Sequence, residues 1–90
     1  MVQARNYRIR GRVQGVGYRY FVQQIALRWG VRGWVRNLSN GDVEAHAEAE
    51  REVLDQLRAE LERGPSFSQV SEVIEEDASA DGRSTSFEIR

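Results

Sequence analysis

The chain contains no cysteine, and its 13 basic residues are all arginine; proline, histidine and methionine occur once each in 90 residues. Without cysteine it can build neither a disulfide framework nor a thiolate zinc site, and it has no thiolate nucleophile. Without lysine it can form no Schiff base and lacks the lysine of a nucleotide-binding P-loop. No segment approaches the ~18 consecutive apolar residues of a membrane helix. Met1 to Asn6 leads into a charged segment rather than a targeting signal, so a cytoplasmic protein with no membrane partner is expected. Acids are absent from the first 41 residues, which carry eight arginines, while residues 42 to 90 carry five arginines and all fourteen acids. The net charge of −1 therefore conceals one half at +8 and another at −9. A hydrophobic fraction of 40% and a charged fraction of 30% suit one globular domain, expected to span residues 1–90.

Hydrophobic spacing divides the chain into seven elements. Residues 5–13 alternate, with Tyr7, Ile9 and Val13 on one side and Arg8, Arg10 and Arg12 on the other, which predicts a half-buried strand. Tyr18, Val22, Ile25 and Trp29 recur at helical steps and are followed by Gly30, a helix stop. Gly33 to Leu38 reads as a strand, and Asn40-Gly41 signals a hairpin. The returning strand carries Val43, Ala45, Ala47 and Ala49 on one face and Asp42, Glu44, His46 and Glu48 on a face expected to be solvated. A second amphipathic helix over residues 50–63 presents Val53, Leu54, Leu57 and Leu61 and ends at Gly64-Pro65. Ser68 to Glu76 predicts a strand with a bulge or at an edge, with Glu75, Glu76 and Asp77 as its solvated end. Thr85, Phe87 and Ile89 alternate with Ser84, Ser86 and Glu88 in a final strand. The order implies an α+β fold, a ferredoxin-like sandwich whose mainly antiparallel sheet carries both helices on one face.

The segment Gly11-Arg12-Val13-Gln14-Gly15-Val16-Gly17-Tyr18-Arg19 passes a strand into a helix through a glycine-bearing turn. Glycines at 15 and 17 let successive amides converge on one point, and the helix start adds unpaired donors. Arg19 falls in the first helical turn, where the dipole disfavours a cation unless an anion is bound beside it. Two glycines alone would equally serve a tight turn with a solvated arginine. The full segment, however, matches the first signature of acylphosphatases, and Gly33-Trp34-Val35-Arg36-Asn37 with Gly41 and Val43 matches their second. The chain thus resembles an acylphosphatase over essentially its whole length, including Gly64-Pro65-Ser66 and the closing Phe87-Glu88-Ile89-Arg90. Two substitutions depart from the family pattern: Tyr18 replaces the usual phenylalanine, and Ala49 a common glycine.

By that resemblance Arg19 binds phosphate, Asn37 orients the attacking water, and the backbone of Gln14, Gly15, Val16, Gly17, Tyr18 and Arg19 forms the cradle. The resemblance further implies hydrolysis of small acyl phosphates to a carboxylate and inorganic phosphate with no metal or cofactor. Tyr18 lies on the helix's core face, so its hydroxyl requires a partner.

A ferredoxin-like fold with a basic first half also suits RNA binding, but the aromatic segment around Tyr18 and Phe21 falls on a helix rather than a central strand, and a pI near 5.8 lacks a basic excess. No nucleic-acid partner is therefore expected, and the protein is read as a monomer. A non-catalytic module for phosphate or carbamoyl phosphate is the nearer alternative. His46, beside Glu44 and Glu48, makes a poor transition-metal site on its own, and Trp34 reads as packing. If the first strand neighbours the strand of Glu44 and Glu48, then Arg8, Arg10 and Arg12 are placed to pair with those acids.

Overall fold

A computed structural model describes residues 1–90. The elements follow in the order β1 (Val2–Arg12), α1 (Tyr18–Trp29), β2 (Arg32–Asn37), β3 (Val43–Glu50), α2 (Arg51–Arg63), β4 (Gln69–Ala78) and β5 (Phe87–Ile89). They build a five-stranded sheet in the order β4-β1-β3-β2-β5. All pairings are antiparallel except β2 with β5, which is parallel. The expected ferredoxin-like sandwich is observed, with a mixed sheet. No helix is long and apolar enough to cross a membrane.

Alternation decides which face of the sheet is covered. Tyr7 and Ile9 of β1, Val35 of β2 and Val43, Ala45 and Ala47 of β3 lie beneath the helices with at most 1% of their surface exposed. Small alanines along β3 let α2 approach, and its Leu54, Leu57 and Leu61 fill the space they leave. Helix α1 packs on β2 and β5 and buries Tyr18, Val22, Ile25 and Ala26, while Trp29 and Phe21 are only partly covered. Both helices stop at glycines, as expected: the amides of Gly30 and Gly64 return to carbonyls of the preceding turn.

Several expectations are corrected. Strand β1 begins at Val2 and ends at Arg12, leaving Val13 buried but in the following loop. Strand β4 is an edge, and its pairing with β1 shifts register between Arg10 and Gly11. The last strand starts only at Phe87, and Thr85 is exposed before it. Glu75 is not a solvated strand end: it turns beneath α2, where its carboxylate meets Arg58 at 3.0 Å and Arg5 at 3.4 Å. Arg5 itself lies on the covered face and also reaches Asp55 of α2 at 2.7 Å. This buried arginine clamps α2 to the sheet, and the resulting charge-assisted bond holds the Asp55 carboxyl below its ordinary range.

The open face of the sheet differs more. Strand β1 does lie beside β3, with Arg8 opposite Glu44. Glu44, however, pairs with Arg36 of β2 at 2.7 Å, and Arg10 pairs weakly with Asp42 and Glu72 at 3.9 and 3.6 Å. Arg8 and Arg12 form no ion pair: the Glu44 opposite Arg8 is taken by Arg36, and Arg12 stands opposite Gln69 rather than an acid. His46 and Glu48 are buried there rather than solvated. His46 meets Asn6 Oδ1 through Nδ1 (2.6 Å) and Glu48 Oε2 through Nε2 (2.8 Å), and it stacks on Trp34. The Asp81 amide donates to Glu48 Oε2 from the β4–β5 connection, which lies against this cluster. Trp34 is packing, as expected, held by the guanidinium groups of Arg36 and Arg90.

Burial pushes the Tyr7 phenol up to about 12 from its ordinary 10. Its hydroxyl donates to the Leu54 carbonyl under α2. Above pH 10 the unfolded chain loses this proton while the folded chain keeps it. The stability it contributes is thus full below pH 10 and lost as pH rises toward 12. Urea unfolding midpoints should fall across that window, and Tyr7→Phe should make the fall shallower. An unchanged slope in Tyr7→Phe would assign the alkaline loss to other groups.

Candidate active site

The site is built where β1 passes into α1. Gly15 and Gly17 adopt φ values of 75° and 77°, the left-handed region that disfavours a side chain. A Cβ at either position would meet nothing within 4 Å, so the requirement there is backbone conformation rather than space. This turn points amides away from the sheet ladder: those of Gln14, Gly15, Val16 and Gly17 donate to no backbone carbonyl. Helix α1 then begins with Gly17 as its N-cap, with no capping side chain and no acid in its first turn. Its first amides are therefore also without partners, and the positive end of its dipole is uncompensated.

Beside these donors lies a cleft of ≈ 180 Å³ lined by Val13, Gly15, Gly17, Tyr18, Arg19, Tyr20, Asn37 and Ile89; Gln14 and Val16, expected in the cradle, do not line it. Arg19 is half-buried and pairs with no Asp or Glu side chain; its Nη1 donates to the main-chain oxygen of Arg90, at 3.4 Å. Asn37 enters from the end of β2. Its Oδ1 is buried and has no hydrogen-bond partner. An orphaned acceptor of this kind costs on the order of 1–3 kcal/mol unless a ligand or water satisfies it. The structure thus brings Arg19, Asn37 and the loop around one cleft, as the two sequence motifs lead one to expect.

The roles of individual residues are more varied than the motifs indicate. Gln14 was expected to contribute backbone alone, yet its side-chain amide donates to the carbonyls of Leu38 and Asp42 at 2.7 and 2.9 Å. It thereby ties the loop to the hairpin that follows Asn37. The same hairpin is closed by the Leu38 amide donating to the Asp42 carbonyl at 2.8 Å and by Asn40 bonding the Asp42 amide through Oδ1. Tyr18 finds its partner: the hydroxyl donates to the Leu61 carbonyl at 2.7 Å, in the last turn of α2 where carbonyls lack helical partners. Burial pushes this phenol above its ordinary range. The departure from phenylalanine is thus absorbed as a tie between the two helices. Ile89 and the Arg90 carbonyl were missed, since only the parallel pairing of β5 with β2 carries them to the cleft. His46 lies outside it, with both ring nitrogens already engaged.

Fold and cleft together define a small α+β sandwich protein whose β1–α1 turn presents free amides and an unpaired arginine. The acylphosphatase family profile matches residues 5–89. An acylphosphatase of Koribacter versatilis is 45% identical over 87 residues, covering 97% of this chain and 79% of that protein. The crystal structure of acylphosphatase from Bacillus subtilis superposes with a TM-score of 0.91 at 36% identity, covering 100% of this chain and 99% of that one. The chain also resembles 12% of full-length HypF, crystallised in a phosphate- and nucleotide-bound form, with a TM-score of 0.88 at 28% identity. The chain belongs to the acylphosphatase family, enzymes that hydrolyse acyl phosphates.

The Gln14 tie should be measurable. Gln14→Ala removes two hydrogen bonds between loop and hairpin, each worth about 1 kcal/mol. It should lower unfolding stability by about 1–2 kcal/mol and hasten amide exchange at Leu38 and Gly41. Unchanged exchange at both amides would show that the hairpin holds Asn37 without help from Gln14.

Proposed function

We propose that the protein hydrolyses acyl phosphates by direct attack of water on phosphorus, with Arg19 and the amides of Gln14 to Arg19 holding the phosphoryl group and Asn37 orienting the water. The observation that carries this reading is the convergence of Arg19, Asn37 and the loop's free amides on one cleft, with the buried Oδ1 of Asn37 left without a protein partner. A phosphoryl group offers acceptors to every donor there. A water molecule offers a proton to the acceptor that remains.

The chemistry needs little more. Arginine's planar fork can bond two phosphate oxygens and stays charged at any working pH. Phosphoryl transfer is largely dissociative, so positioning and charge stabilisation of the equatorial oxygens carry most of the catalysis. The bond from water oxygen to phosphorus forms as the bond from phosphorus to the acyl oxygen breaks. The water proton goes to solvent or phosphate, and the carboxylate departs with the bonding pair. A carboxyl leaving group has a conjugate acid near pKa ~4, so no general acid is required. Asn37 is suited to its task by neutrality: it accepts from water through Oδ1 and can donate to a phosphoryl oxygen through Nδ2. An aspartate there would repel the substrate.

Phosphate release from acetyl phosphate in the presence of EDTA tests the reading. Arg19→Gln and Asn37→Ala should each lower kcat/KM by at least ~10²-fold, the scale of losing one charge-stabilising or positioning group, while circular dichroism stays that of the parent. In water enriched with oxygen-18, the label should enter inorganic phosphate and not the carboxylate. Near-parental activity in either variant removes that residue from the mechanism, and label in the carboxylate moves the attack to carbon.

A further inference from the structure

The chain's one proline leaves a gap in the hydrogen bonding of α2. In a continuing helix the amide of residue 65 would donate to the Leu61 carbonyl, but Pro65 has no N–H, and no other backbone amide takes its place. The missing donor comes from the other helix. Tyr18 donates its hydroxyl to that carbonyl at 2.7 Å, and both residues are at most 1% exposed. Phenylalanine, the usual residue of the family pattern here, has no proton to give.

Helix α1 has little of its own to fix its first turn. Its N-cap, Gly17, carries no capping side chain, and its first internal bond runs from the Phe21 amide to the Gly17 carbonyl at 3.0 Å. The amides of Tyr18, Arg19 and Tyr20 precede that bond and are the ones left free for an anion. Tyr18 is the first residue of the helix, so the side chain that reaches α2 springs from the same residue as one of these donors. The end of α2 holds this turn at two further points. A Cβ at Gly64 would stand 3.3 Å from Tyr18 Cε2, so the bare backbone there lies against the ring edge. The Arg63 guanidinium sits 5.3 Å over the Phe21 ring, which is tilted against that of Tyr18.

We propose that Tyr18 is a positioning residue for the phosphoryl group: its tie to Leu61 fixes the rotation of the first turn of α1 and so aims the amides of Tyr18 and Arg19, with the Arg19 side chain, at the cleft. This rests on the phosphoryl-binding loop of the hydrolytic reading given above. The hydroxyl acts through the backbone and not on the reacting atoms, since its proton is committed to Leu61. The loop holds the phosphoryl group in the ground state and the transition state alike, so loosening the tie weakens both together.

Tyr18→Phe tests this by removing the hydroxyl while keeping the ring and its core volume. Ser68→Ala is the control: it removes the Oγ bond to the Pro65 carbonyl in the turn after α2 and leaves the Tyr18 bond in place. Both variants should unfold at lower urea than the parent. Inorganic phosphate, followed through the amide resonances of Gly15 and Gly17, should bind Tyr18→Phe about fivefold more weakly than the parent, the low end of ordinary coupling between sites. Its affinity for Ser68→Ala should equal that for the parent. With acetyl phosphate the same loss should fall on KM, with kcat within about twofold, the pattern of uniform binding. Equal phosphate affinity in the parent and Tyr18→Phe, or an equal loss in Ser68→Ala, overturns the positioning role and leaves the tie to stability alone. Absence of acetyl phosphate turnover in the parent overturns the hydrolytic reading instead, and the phosphate affinities then still report whether Tyr18 aims the loop.

Discussion

The antiparallel pairing of β1 with β3 is the constraint from which the site follows. Its register runs from Val2 opposite Glu50 to Ile9 opposite Val43, and Val43 in turn stands opposite Asn37 on β2. One ladder thus fixes the end of β1, and with it the loop of free amides, at the same level of the sheet as Asn37. A slip of one residue would turn Tyr7 and Ile9 to the open face and carry the alanine row of β3 away from α2. The apolar core therefore holds the register, and the register holds the chemistry. Gln14 adds a local tie between loop and hairpin, but the sheet has already brought them together.

The parts of this arrangement legible in the sequence are those with a period or a motif. The alternation through Tyr7 and Ile9 and through Val43 to Ala49 marked the covered face, and the four-three-four spacing from Tyr18 to Trp29 marked α1. The glycines of the β1–α1 turn and the position of Arg19 point to an anion site, though only the longer pattern separates it from a simple turn. Tyr18 required a hydroxyl partner, and Leu61 provides it across 43 residues of chain. What was not legible depends on long-range placement. Ile89 reaches the cleft because β5 runs parallel to β2, a pairing that no local pattern signals. His46 and Glu48 alternate like solvated residues, yet the β4–β5 connection lies over them, and irregular segments have no period to read.

Charge shows the same division between local and distant causes. The early arginines and later acids do cancel, but across partners chosen by topology rather than by strand neighbour alone. Arg5, which shares the parity of Tyr7 and Ile9, is drawn under α2 by Asp55 and Glu75. Arg36 takes the Glu44 that Arg8 faces. Arg19 is left with a single long bond to a backbone carbonyl, in a helix turn without acids. A cation kept out of the ion-pair network retains its full capacity for an incoming anion.

The strand order also bears on how the sheet meets other sheets. Its two borders are β4 and β5, each with one row of backbone groups left without a strand partner. Such rows invite further strands, and proteins that stay dispersed blunt them with charge or brevity. Here β4 carries Glu72, Glu76 and Asp77, so a second copy aligned along it would set like charges side by side. Strand β5 is three residues long and offers too little ladder to recruit another. The acidic second half of the chain thus resists edge-to-edge aggregation as well as balancing the arginines of the first.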